Sequence, residues 1–177
     1  ENSVLWDVHK KFREMNLHQL GIPKELGGMG NDIDPKGKAV LAEELGYGDA
    51  GLAISLGVSS NPYRFAALSK DPEVQQLAKD FCQDTSAEMI GCWAITEPAH
   101  GSDYIMAMDP EFDDSRCGPD LTAELKGDEF ILNGQKSAWV SNGTIATHAT
   151  VHVGLTSSNG MHGAGLAIVP LNLPGIS

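Results

Sequence analysis

The feature that most constrains this chain is a change of texture near residues 85–88, where helical periodicity stops and strand-like punctuation begins. Upstream, Val4, Leu5, Val8, Phe12 and Met15 fall on one face of a helix, with charged residues between them. Gly21-Ile22-Pro23 ends that pattern, and the Gly-rich run from Gly27 to Asp32 follows as a loop. Asp34-Pro35, Asn61-Pro62 and Asp71-Pro72 each set a capping side chain before a proline at the first helical position, where the missing N–H costs nothing. These pairs predict helices over 35–47, 62–69 and 72–84. In the last of them Val74, Leu77, Ala78 and Phe81 stand at i, i+3, i+4 and i+7. Residues 50–60 are apolar with small side chains, which predicts a further, buried helix.

Downstream, Met89 to Thr96 is a continuous apolar run stopped by Pro98, the pattern of a buried strand. Leu121–Lys126 and Glu129–Leu132 flank Gly127-Asp128, a hairpin signal. Ser137–Ser141, Thr147–Leu155 and Gly165–Pro170 are further strand candidates, with a loop over Ser157–Gly165. The expected class is α+β: a helical domain over 1–87 followed by a small antiparallel β-barrel-like domain over 88–177. The formal charge of −12, from 24 acidic and 12 basic side chains, argues against nucleic acid as a partner, because counterion release needs clustered Lys and Arg. Cys82, Cys92 and Cys117 are odd in number and lack metal-ligand spacing, so neither a disulfide framework nor a zinc site is expected. No run of apolar residues is long enough to span a membrane. The chain starts without Met inside an amphipathic pattern and stops just after a strand-like segment, as a fragment would.

Two segments could carry chemistry. In Trp93-Ala94-Ile95-Thr96-Glu97-Pro98-Ala99-His100-Gly101-Ser102-Asp103, a strand delivers an aromatic and a hydroxyl to its end before Pro98 breaks the ladder. Gly101 allows close approach of backbone to ligand, and amides freed at the break could cradle a pyrophosphate. An ordinary Asx or Ser turn explains the same residues. In Asn133-Gly134-Gln135-Lys136-Ser137-Ala138-Trp139-Val140-Ser141-Asn142-Gly143, Asn133-Gly134 suits a tight turn. Trp139 and Ser141, at i and i+2, would share one face of a strand. An indole beside a hydroxyl suits a flat heteroaromatic ring, and it equally suits a β core. His148 and His152 are four apart in a region with strand character, so metal ligation is not expected of them.

Taken together the two segments resemble the acyl-CoA dehydrogenase family: TEPAHGSD is similar to its TEPxxGSD signature, and LNGQKSAWVSNG to its second flavin segment, NGxKxWITN. IPKELGGMG and LAEELGYGDAG resemble that family's helical N-terminal region. The resemblance implies an FAD enzyme of fatty acid metabolism that oxidises the α,β-bond of an acyl-CoA thioester. It implies that Trp93, Ile95 and Thr96 lie against the flavin, with Thr96 hydrogen-bonded to its ring. Ser102 would reach the pyrophosphate and the thioester, and Trp139 would pack on the ring. Ser141 would stand where the family usually has Thr. The carboxylate base would come from a C-terminal helical domain that this sequence lacks. An electron-transferring flavoprotein and a homodimeric or homotetrameric assembly are implied partners, in the cytoplasm or the mitochondrial matrix. Two alternatives remain: a non-catalytic FAD-binding partner subunit, or an oxygen-using oxidase or monooxygenase of the same superfamily. One departure is local: Ser137 and Ala138 stand between Lys136 and Trp139, where the family has one residue. A bulge would absorb the extra residue.

Overall fold

The computed structural model describes residues 4–106, 108–137, 139–155 and 160–177. Helix α1 spans Val4–Glu14. The long helical run α2 spans Pro35–Ser59 and is interrupted at Asp49, whose backbone is extended (φ −163°, ψ 116°). Asp49 Oδ1 accepts from the Leu52 amide at 2.8 Å, so its second half is capped as a helix in its own right. The two helices expected over 35–47 and 50–60 are thus one run with an internal start. The expected burial of the second half holds only on one side, where Ser55, Leu56 and Ser59 are buried while Ile54 is exposed. Helix α3 spans Asn61–Ala67 and α4 spans Pro72–Gln83. Asp34 and Asp71 cap as their dipeptides predict, accepting from Gly37 and Glu73 amides at 2.7 and 2.9 Å. Asn61 does not: it lies inside α3 behind Ser60, because α2 runs almost directly into α3 and leaves no extended cap residue.

Among the described residues five strands follow: β1 Gly91–Ala94, β2 Thr122–Lys126, β3 Glu129–Asn133, β4 His148–Leu155 and β5 Ala164–Pro170. Their order is β1-β4-β2-β3, with β5 also paired to β4. β2 and β3 form the predicted hairpin, Lys126 opposite Glu129 and Thr122 opposite Asn133. Gly127 in its turn has φ +69°, the left-handed region that favours glycine. The sheet is mixed rather than wholly antiparallel, since β2 runs parallel to β4 with Thr122 opposite Gly154. Two strand expectations change. Residues 139–141 and Ser137 form no strand, Ser137 being bonded instead to Thr96; Ala138 lies outside the described residues, as do Thr156–Asn159 of the expected loop. Asn133-Gly134 ends β3 rather than making a hairpin. Gly134 is required there because a Cβ would sit 2.5 Å from Leu121 Cα.

The contacts divide the chain into two units. The first comprises residues 1–92, 141–149 and 170–177. Its core stacks Tyr63 on Phe81 (centroids 4.0 Å apart), with Ile22, Leu26, Leu56, Ala78 and Ile90 buried around them. The Arg13 guanidinium lies 4.1 Å over the other side of the Phe81 ring and pairs with Asp84 at 3.6 Å. The second comprises residues 93–140 and 150–169, with a core of Ala94, Tyr104, Leu121, Ala123, Val151, Val153, Met161 and Val169. Among the described residues no helix is long and apolar enough to cross a membrane.

Candidate functional site

The second unit joins both chemical segments through one buried carboxylate. Glu97 follows β1, and its side chain is fully buried. One of its oxygens accepts from the Lys136 ammonium at 2.6 Å and from the Leu121 amide at 3.0 Å; the other accepts from the Asp120 amide at 2.7 Å. Burial alone pushes the Glu97 pKa up, but the Lys136 and amide donors outweigh it and hold the group below the usual carboxylate range. Lys136 also donates to the Ile95 carbonyl at 3.3 Å and lies 5.3 Å over the Tyr104 ring. Its pKa is nevertheless lowered, burial being the largest cause. Glu97 thus has two backbone amides in addition to its charged partner.

A second link is made of hydroxyls. The Ser137 amide donates to the Thr96 carbonyl at 2.9 Å, and Ser137 Oγ donates to Thr96 Oγ1 at 3.0 Å. A Thr oxygen that accepts in this way keeps its own O–H for a further acceptor. These two links hold Thr96 beside Ser137 without a regular strand in the second segment.

Trp93, Ile95, Thr96, Ser102 and Trp139 all lie in this unit. Ile95 and Thr96 are half-buried, and Ser102 is exposed at the start of a 3-10 turn over Ser102–Met106. The Trp93 indole is 39% exposed although its neighbours Cys92 and Ala94 are buried, and Trp139 is 84% exposed. Ser141 belongs to the first unit and is exposed. Beside it, Asn142 is a structural residue that sequence reasoning missed. Its backbone is left-handed (φ 67°), and its buried amide donates to the carbonyls of Ser55 at 2.8 Å and Gly91 at 3.1 Å. The motif signal was the Asn itself, at the end of the Trp-Val-Ser-Asn run.

The amide cradle expected after Pro98 is largely used internally. Glu97 and His100 exchange backbone bonds at 2.8 and 3.3 Å, and the Gly101 amide donates to Asp103 at 2.6 Å. Asp103 also accepts from His100 Nδ1 at 2.7 Å. Its burial raises the pKa, but His100 and the Gly101 amide lower it further, so the carboxyl is held below its usual range. Glu97, His100 and Asp120 place ligand atoms within 4.8 Å of one another. The Lys136 ammonium on Glu97 opposes a cation there, and the group acts as a hydrogen-bonded anchor of the loop. His148 bonds to Tyr63 and Thr147, and His152 to Trp93, so each of the two sequence-flagged histidines has its own local partner.

Residues 1–71 match the model of the acyl-CoA dehydrogenase N-terminal domain, and residues 92–177 match that of the acyl-CoA dehydrogenase middle domain. The glutaryl-CoA dehydrogenase of Desulfococcus multivorans is 33% identical over 165 residues, which are 92% of this chain and 39% of that protein. The mitochondrial short-chain specific acyl-CoA dehydrogenase of Homo sapiens is 30% identical over 168 residues, 95% of this chain and 37% of that protein. The structure of an acyl-CoA dehydrogenase from Bacillus anthracis complexed with FAD superposes with a TM-score of 0.73 at 25% identity, covering 98% of this chain and 27% of that one. The chain thus spans about two fifths of the curated relatives it matches.

Proposed function

The chain belongs to the acyl-CoA dehydrogenase family, and we propose that it is the flavin-contacting part of an FAD-dependent enzyme that desaturates acyl-CoA thioesters. The observation that carries this reading is the joining of the two motif segments through Glu97–Lys136 and Thr96–Ser137. The residues present fit FAD: an exposed indole at Trp93, a second at Trp139, the half-buried hydroxyl of Thr96 and the exposed Ser102 match a flat ring with a polar edge and a phosphate tail. Bound FAD would supply the redox chemistry. Trp93 and Ile95 would lie along the ring, Thr96 would donate to a ring acceptor, Trp139 would cover an apolar face, and Ser141 would offer a second hydroxyl. Ser102 would face both the pyrophosphate and the thioester. Glu97 is not assigned the role of the base that takes the α-proton, because three donors already hold its carboxylate buried and ionised. Electron transfer to an electron-transferring flavoprotein, a homo-oligomeric state, a boundary near residue 88 and a cytoplasmic or mitochondrial-matrix location complete the proposal.

The test is to load the protein with FAD, record its visible spectrum and add acyl-CoA thioesters anaerobically. Bleaching by a thioester supports the dehydrogenase reading, and recolouring by air faster than by an acceptor flavoprotein favours the oxidase alternative. A flavin spectrum that no thioester bleaches fits a segment without the catalytic base and the non-catalytic partner alike. A protein that takes up no FAD refutes the cofactor assignment.

A further inference from the structure

Strand β4 carries a second histidine, His152, which is half-buried between the buried Val151 and Val153. Its Nε2 accepts the Trp93 indole N–H at 2.9 Å, the ring centroids being 5.9 Å apart. Its ring also meets Tyr104 edge-on at 5.1 Å, and Tyr104 in turn lies under the Lys136 ammonium that pairs with Glu97. An indole nitrogen can only donate, so this bond requires a lone pair on Nε2 and places the proton of neutral His152 on Nδ1. A partly exposed indole could leave its N–H to water, so the bond is not needed to satisfy a buried donor. What it does is remove the freedom of the Trp93 ring.

We propose that His152 is a positioning residue for Trp93, holding the indole in one orientation so that its exposed surface is presented ready-made to the flat cofactor. The proposal rests on the flavin reading for the identity of that cofactor, while the bond itself is testable without it. Locking a ring that would otherwise order only on binding removes part of the cost of association. The groups facing His152 are Trp93 from β1, Tyr104 from the 3-10 turn, and the charges of Lys136 and Glu97. Burial, and then Lys136, lower its pKa to about 4 while Glu97 acts the other way, so the accepting lone pair persists through the neutral range.

The experiment uses the full chain labelled with ¹⁵N, the Trp93 indole signal being assigned by loss in W93F. In the wild type that signal sits at a hydrogen-bonded position from pH 8 to about 5 and moves with a midpoint near 4, as protonation turns Nε2 into a donor. In His152→Leu it sits at the free position throughout and does not titrate. In His152→Gln, which keeps an acceptor, it is again hydrogen-bonded and does not titrate with that midpoint. FAD affinity, read by flavin fluorescence, drops about five- to tenfold in His152→Leu, the scale of one neutral hydrogen bond, and recovers in His152→Gln. An indole signal identical in wild type and His152→Leu overturns the proposal. So does a folded His152→Gln that matches His152→Leu in both readouts, since shape rather than the bond would then matter. Wild-type protein that shows the titration and binds no FAD leaves the bond standing, overturning the positioning role through failure of the flavin reading.

Discussion

Removing the Glu97 carboxylate should damage the second unit far more than removing its cationic partner. Glu97→Ala strips the acceptor from the Asp120 and Leu121 amides and leaves the Lys136 ammonium, 9% exposed, with only the Ile95 carbonyl and the Tyr104 side chain. Breaking a buried pair from one side typically costs about 3–5 kcal/mol. For a chain of this size that lowers the thermal midpoint by roughly 6–20 °C. Lys136→Met leaves Glu97 with both amides, and it removes an ammonium whose burial already disfavours its charge, so about 1–3 kcal/mol is expected. Because the single variants share one interaction, Glu97→Ala combined with Lys136→Met should cost less than their sum. The pH dependence has a definite sign. The native Glu97 pKa lies below its ordinary 4.5, so its stabilisation is complete above that value and is lost as pH falls through the depressed native value. Urea unfolding followed by near-ultraviolet circular dichroism, on the four proteins of the cycle at pH 7 and pH 4, reads all of this. A Glu97→Ala variant within about 1 kcal/mol of wild type, below even an ordinary buried loss, would refute the anchoring role, and so would strict additivity.

Three further outcomes follow from the geometry. Gly134→Ala sets a Cβ 2.5 Å from Leu121 Cα, a backbone neighbour that cannot yield, and should cost about 2–4 kcal/mol in chemical denaturation; Gly127→Ala meets open space at φ +69° and should cost only about 1–2 kcal/mol. His9 and His18 are both buried with pKa values lowered to about 4, by burial first and Arg13 second, so the unfolded chain binds their protons at higher pH than the native one. Stability should therefore fall as pH drops from about 6.5 toward 4, with a slope approaching about 1.4 kcal/mol per pH unit for each; His9→Gln with His18→Gln should flatten the urea midpoint across that range. Asn142→Ala removes two donated bonds and the one accepted from Ser55 Oγ, and should cost about 2–4 kcal/mol by the same assay.

What the sequence disclosed was local. Asp34 and Asp71 announce their helices because a cap and a proline act within one turn, and Gly127 announces its hairpin because positive φ is a property of one residue. Asn61 misled because the cap depends on what precedes it, here a helix with no extended residue to spare. The expected strand at Ser137–Ser141 failed for a related reason. Its alternation is real, but Ser137 is bound to Thr96 and Asn142 turns left-handed, so no ladder partner is reached. The parallel pairing of β2 with β4 depends on residues 32 positions apart at Thr122 and Gly154, and no local pattern encodes it.

The same distinction separates two kinds of site residue. Trp93, Ser102 and Trp139, proposed above as cofactor contacts on the strength of the motifs, are exposed. Glu97, Lys136 and Asn142 are not singled out by the sequence, because their side-chain bonds run between segments 23 or more residues apart. Yet an exposed indole or hydroxyl has little intrinsic geometry, since water offers every orientation an equal partner. Within the second unit, the buried Glu97 carboxylate and Lys136 ammonium fix the surrounding chain, because leaving a desolvated charge unpaired is costly. A motif of this kind therefore specifies two things at once: the residues that touch a ligand, and the buried polar residues, a few positions away, that hold them still.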